Sequence, residues 1–161
     1  MIQTGQKLPE GKLFEMTADG PTEIGTSEIF TGKRVALFAV PGAFTPTCHL
    51  KHLPGFVSHV DAFKAKGVDQ VICLSVNDPF VMGKWGEVSG SSDAGIRMLA
   101  DPDGSFVKAM GLDFSDAPVG LHNRSKRFAA LVEDGVVTVL HVEENPGEAE
   151  ASSAERLLEA I

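Results

Sequence analysis

The chain has 161 residues, 43% of them hydrophobic, and its 22 acidic against 14 basic side chains give a formal net charge of −8. That length suits one domain over residues 1–161, with enough buried surface for a core that needs no metal or disulfide staple. The acidic balance argues against nucleic acid or an anionic membrane as main partner. No apolar run is long enough to span a bilayer, and two cysteines cannot build a disulfide framework.

Met1–Gln6 has neither the basic nor the apolar region of a secretory signal, so a reducing cytoplasmic location is the expectation. The first element read from the pattern is Arg34–Val40, a continuous apolar run that suits a parallel strand buried on both faces. From Cys48 onward, Leu50, Leu53, Phe56, Val57, Val60 and Phe63 recur at helical intervals. Pro54 should bend that helix, because it removes a donor and crowds the preceding turn. Val68–Val76 reads as a second buried strand, completing a βαβ unit that enforces parallel pairing.

Asp78 and Pro79 are an N-cap and a first helical residue. The glycine-rich stretch Gly86–Gly95 lacks the ending of a phosphate loop and reads as a flexible connection. Ile96–Ala100 is a short strand stopped by the turn Asp101-Pro102-Asp103-Gly104. Arg127–Val132 and Val136–Val142, joined across Asp134-Gly135, form an antiparallel hairpin. Ser152 and Glu155 make a capping box for a last helix. The sum is an α/β domain with a central mixed sheet flanked by helices on both faces. A thioredoxin-like fold is compatible with it, as are several other α/β arrangements.

Chemistry concentrates in Pro41-Gly42-Ala43-Phe44-Thr45-Pro46-Thr47-Cys48-His49, where a parallel strand gives way to a helix. Cys48 falls in the first helical turn, where unsatisfied N–H groups favour a thiolate. Thr45, three residues earlier, can exchange a hydrogen bond with the sulfur. An inert buried cysteine is the competing reading. Cys48, His49 and His52 lack an evident fourth ligand, so a metal site is not expected. Phe44, Phe80, Trp85 and Phe114 could line a pocket or an oligomer surface, although core packing is the ordinary explanation for each.

Pro41-x-x-x-Thr45-x-x-Cys48 resembles the active-site signature of the peroxiredoxins, and the fuller string is similar to their type II (five-type) branch. The similarity extends to Val76-Asn77-Asp78-Pro79-Phe80, Arg97-Met98-Leu99-Ala100-Asp101-Pro102-Asp103-Gly104 and Asn123-Arg124-Ser125-Lys126-Arg127-Phe128. It implies a thioredoxin-like fold and a thiol-specific peroxidase that reduces hydrogen peroxide and organic hydroperoxides in antioxidant defence. Cys48 is then the peroxidatic cysteine, passing through a sulfenic acid. Thr45 holds the sulfur and the peroxide, Arg97 stabilises thiolate and developing charge, and Pro41 shields the pocket. The resemblance implies no cofactor and a homodimer.

An arginine matters because ionisation alone is too small an effect. A cysteine of ordinary acidity is about 3% thiolate at pH 7, so full ionisation gains ~30-fold, roughly 2 kcal/mol. A modest acceleration of ~10⁶ needs about 8 kcal/mol, so donors aimed at the transition state must supply the remainder. The expected arrangement is a sulfur at the mouth of a shallow pocket with the Arg97 guanidinium beside it.

The second cysteine, Cys73, lies within the Val68–Val76 strand. It is a candidate resolving residue, but a disulfide needs Cα atoms within about 7 Å, and a strand-bound thiol would require the Cys48 helix to unwind. The mammalian enzymes' C-terminal resolving cysteine has no counterpart in Glu148–Ser153. An external reductant, glutaredoxin with glutathione or thioredoxin, is therefore expected. Without a Cys-x-x-Cys pair the alternative of a thiol–disulfide oxidoreductase is weaker, and a redox sensor would react once and stay oxidised.

Overall fold

The computed structural model describes residues 1–161. It opens with a hairpin, β1 (Lys12–Thr17) and β2 (Gly20–Gly25), followed by the short helix α1 (Thr26–Phe30). Both strands are mostly half-exposed and lack a clean alternation, so no period-2 signal marks them in the sequence. β3 (Arg34–Val40) coincides with the apolar run, and β4 (Gln70–Ser75) pairs with it in parallel, closing the expected βαβ unit through α2 (Leu53–Ala65).

α3 (Pro79–Val88) starts where expected, with the Asp78 carboxylate accepting from the Val81 N–H at 2.9 Å. β5 (Ile96–Ala100) adds a third parallel strand. After it, the buried Asp101 carboxylate accepts the Phe106 and Val107 N–H groups and so caps α4 (Ser105–Ala109). A separate antiparallel ribbon, β6 (Asp113–Asp116) and β7 (Leu121–Ser125), precedes the expected hairpin of β8 (Phe128–Glu133) and β9 (Val136–Val142). Asp134 and Gly135 both have positive φ (49° and 77°), the turn that matches strand twist.

The large sheet runs β2-β1-β5-β4-β3-β8-β9. Side-chain alternation along β3 splits the core in two. Ala36, Phe38 and Val40 face α2, α3 and the terminal helix α5 (Ala154–Glu159), with Cys48 and Cys73 in the same cluster. Val35, Leu37 and Ala39 face α1 and α4. The mixed sheet with helices on both faces is as expected.

Three local expectations are corrected. The glycine-rich stretch is not a loose connection: Gly86 lies inside α3, where a Cβ would come within 2.7 Å of Met98 Cγ, and Ser91 beyond it is buried. The last helix is capped by Ser153, whose Oγ accepts from the Arg156 N–H, because Ser152 is turned inward to another partner. The Cys48 helix does not bend at Pro54 so much as widen before it. Cys48–His52 is a π-helical turn in which the Leu53 N–H donates to the Cys48 carbonyl five residues back. Pro54 cannot donate to the Leu50 carbonyl, so the ordinary ladder is lost there. The extra residue rotates the stripe: Leu50 turns out to solvent and His52 turns into the core.

Candidate active site

The loop between β3 and the π turn is fastened on three sides. The Ala43 N–H donates to Asn77 Oδ1 (3.0 Å), the Pro41 carbonyl accepts from Arg124 Nη1 (3.3 Å), and Thr47 Oγ1 donates to the Gly147 carbonyl (3.0 Å). Phe44 is held at φ 64°, a left-handed conformation that costs a bulky residue about 1–2 kcal/mol, so the surrounding contacts over-determine it. Phe44 is 47% exposed and Phe80 65%, so neither is a core residue. Trp85 is, and its Nε1–H donates to His49 Nδ1 at 2.9 Å.

Cys48 is fully buried rather than at the mouth of a pocket. Thr45 Oγ1 lies 2.7 Å from Cys48 Sγ and 2.8 Å from the Gly42 carbonyl. The hydroxyl has one proton for two acceptors. It donates to a thiolate, and can swing to the Gly42 carbonyl when the sulfur carries its own proton.

The arginine on the sulfur is Arg127. Its Nη2 donates to Cys48 Sγ at 3.2 Å, while Nε and Nη2 both donate to the Pro146 carbonyl and Nη1 donates to His52 Nδ1 (3.1 Å). Arg97, expected in this place, is elsewhere. It forms a bidentate pair with Glu15 (2.8 and 3.2 Å) and donates to Gln70 Oε1. Topology accounts for both outcomes. Arg97 is the second residue of β5, while the Cys48 loop leaves the far, C-terminal edge of the parallel strands. Its neighbour two along, Leu99, also packs on the opposite face from Cys48. β8 runs antiparallel to β3, with Phe128 opposite Ala39, so Arg127 at its entry meets the end of β3 where the loop begins. The expected hairpin contained this signal. What it lacked was the neighbour of β8 in the sheet.

Burial of His52 and the adjacent Arg127 charge lower its pKa from 6.5 to about 3. The folded ring stays neutral where the unfolded one takes a proton, so stability is complete above pH 6.5 and falls as pH drops toward 3. The slope approaches 1.4 kcal/mol per pH unit, so about 2 kcal/mol should go between pH 6.5 and 5. Urea unfolding at the two pH values checks this, and His52→Asn should lose most of the slope. Asp101, raised by burial, acts in the opposite sense in both proteins.

Cys73 lies in mid-β4, paired with Phe38 on one side and Met98 on the other. Burial, and secondly the neighbouring Cys48, push its thiol well up, so it stays protonated at neutral pH. Both cysteines are free.

Comparisons with known proteins agree on the family. The Redoxin family model matches residues 3–158. A rice (Oryza sativa subsp. japonica) protein, "Peroxiredoxin-2E-2, chloroplastic", is 48% identical over 99% of this chain and 72% of its own. "Peroxiredoxin-2F, mitochondrial" of Arabidopsis thaliana is 47% identical over 84% of this chain and 67% of its own. Among solved structures, reduced Prx3 from Vibrio vulnificus in complex with H2O2 superposes with a TM-score of 0.94 at 48% identity, covering 99% of each chain. Relatives this similar carry chloroplastic and mitochondrial names, and that overturns the cytoplasmic expectation. A thiol enzyme can work wherever reducing thiols are supplied, so cysteine usage alone does not fix its address. With its thioredoxin-like α/β fold, the chain belongs to the peroxiredoxins, in their type II branch, and is a thiol-dependent peroxidase of antioxidant defence.

Proposed function

We propose that Cys48 is the peroxidatic cysteine, with Thr45 and Arg127 as its catalytic donors and Pro41 in the wall that keeps water from the sulfur. The observation that carries this reading is the convergence of two donors, at 2.7 and 3.2 Å, on one buried sulfur. The Sγ thiolate attacks the terminal oxygen of the hydroperoxide. An S–O bond forms, the O–O bond breaks, and the leaving oxygen departs as alkoxide or hydroxide and takes a proton. Arg127 and Thr45 face the charge as it moves from sulfur to that oxygen. Cys48 is left as a sulfenic acid, two electrons oxidised.

The return needs two thiols. The first condenses with the sulfenic acid, releasing water and leaving a mixed disulfide, and the second displaces Cys48 as thiolate. Both electrons come from the thiols, so the cycle balances without a cofactor. Cys73 is a poor first thiol, being protonated and fixed in the middle of a sheet. An external one, glutathione with glutaredoxin or thioredoxin, fits better, and because Cys48 is fully buried the π turn must open to admit it. The exposed Phe44, in the loop, and Phe80, at the start of α3, suit the contact of a homodimer.

Peroxide turnover with each reductant, in wild type and Cys73→Ser, tests the cycle. The variant should keep wild-type turnover, and mass spectrometry after one equivalent of peroxide should find Cys48 as sulfenic acid or mixed disulfide. A quantitative Cys48–Cys73 bridge within seconds would overturn the external route.

A further inference from the structure

We propose that His52 is a positioning residue that aims the Arg127 guanidinium at Cys48, and that Ser152 and the buried Glu143 hold His52 in place. The inference rests on the reading of Cys48 as the attacking atom and assigns work to three residues outside the Pro-Thr-Cys-Arg set.

Arg127 has five N–H groups and spends four of them on contacts in this structure. The Pro146 carbonyl takes one edge of the fork, at 3.2 and 3.0 Å. A guanidinium held by one oxygen can pivot about it. The bond from Nη1 to His52 Nδ1, at 3.1 Å, supplies a second fixed point on the other terminal nitrogen and leaves Nη2 on Sγ.

Arginine can only donate, so His52 Nδ1 must carry a lone pair. The ring proton then sits on Nε2 and is donated to the Ser152 carbonyl at 2.8 Å. Ser152 is fixed in turn, its N–H and Oγ–H both donating to Glu143 Oε1 at 2.8 and 2.9 Å. The Glu143 N–H donates to the Arg127 carbonyl at 2.9 Å. The circuit therefore closes on the residue it positions, and each contact pairs one donor with one acceptor in a single tautomer. The ring is 2% exposed, edge-on to Phe38 and Phe56 at centroid distances of 5.2 and 5.5 Å. The charged and titratable groups around it are Arg127 just before β8, Cys48 from its own turn and, through Ser152, Glu143 from the segment after β9. Packing alone would be met there by a phenylalanine, without the cost of burying two ring nitrogens.

Three substitutions separate positioning from packing. Asparagine places its carbonyl oxygen near the Nδ1 position and can still accept from Arg127. Glutamine reaches toward Ser152 and gives up that bond, and phenylalanine gives up both. We expect the second-order rate constant for hydrogen peroxide to fall about 10- to 100-fold in His52→Phe and His52→Gln, the range a small misplacement of a catalytic group produces. His52→Asn keeps the acceptor for Arg127 and gives up only the Ser152 anchor, so it should fall less than His52→Gln. In an Arg127→Gln background, His52→Phe should cost nothing further. Equal losses in the Asn and Gln variants, or a full additional loss in the double variant, would overturn the positioning role. Should His52→Phe fail to fold in urea titration, the Asn and Gln pair decides. Turnover surviving in Cys48→Ser would instead remove the reading beneath it, whereas an inactive Cys48→Ser beside a wild-type-like His52→Phe removes only this inference.

Discussion

Replacing Cys48 with serine should abolish peroxide reduction, a loss of about 10⁶-fold or more, which is at least the modest acceleration expected of an enzyme. A serine hydroxyl at this position keeps the geometry and loses the chemistry. Its oxygen can still accept from Thr45 and Arg127, so neither donor is orphaned in a fully buried site. It holds its proton at neutral pH and is a far weaker nucleophile than a thiolate. The swap leaves no large cavity, so stability should change by only about 1 kcal/mol. Stopped-flow peroxide consumption and urea unfolding measure the two quantities separately. Substantial turnover in the serine protein would mean that another group attacks the peroxide, and Cys73, protonated in mid-strand, offers no ready substitute.

How far the sequence discloses this depends on the range of the interaction. Arg34–Val40 and Ile96–Ala100 were readable to the residue because buried parallel strands are marked by their own composition. Asp78 was readable as a cap because its partner is three residues away. The β1–β2 hairpin was not, because its half-exposed strands gain their place from β5 and α3 rather than from a pattern of their own. Ser152 satisfied the capping-box spacing and yet served Glu143, nine residues earlier in the chain and invisible to a rule about spacing. His52 shows the same limit more sharply. Helical periodicity from Cys48 put Leu50 inside, and one proline, through the widened turn before it, exchanged the two.

The arginine is the most instructive of these. Arg97 and Arg127 both lie in segments that resemble the family, and only the strand order separates them: one enters β5 at the edge remote from the loop, the other enters β8 beside it. The contrast yields a paired expectation. Arg127→Gln should lower the second-order rate constant by about 10²- to 10³-fold, the effect of removing one donor from a developing anion. It should also destabilise the fold, because the Pro146 carbonyl and His52 Nδ1 lose their donor in a buried site. Arg127→Lys keeps the charge but not the fork, and should fall between wild type and glutamine. Arg97→Ala removes a mostly buried bidentate pair with Glu15, so it should cost some stability, roughly 1–3 kcal/mol, and should leave the peroxide rate unchanged. Rates from stopped flow and midpoints from urea separate the two arginines. A rate loss in Arg97→Ala equal to that in Arg127→Gln would show that contact with the sulfur is not what the arginine supplies, and would turn the search to the field of the whole sheet edge.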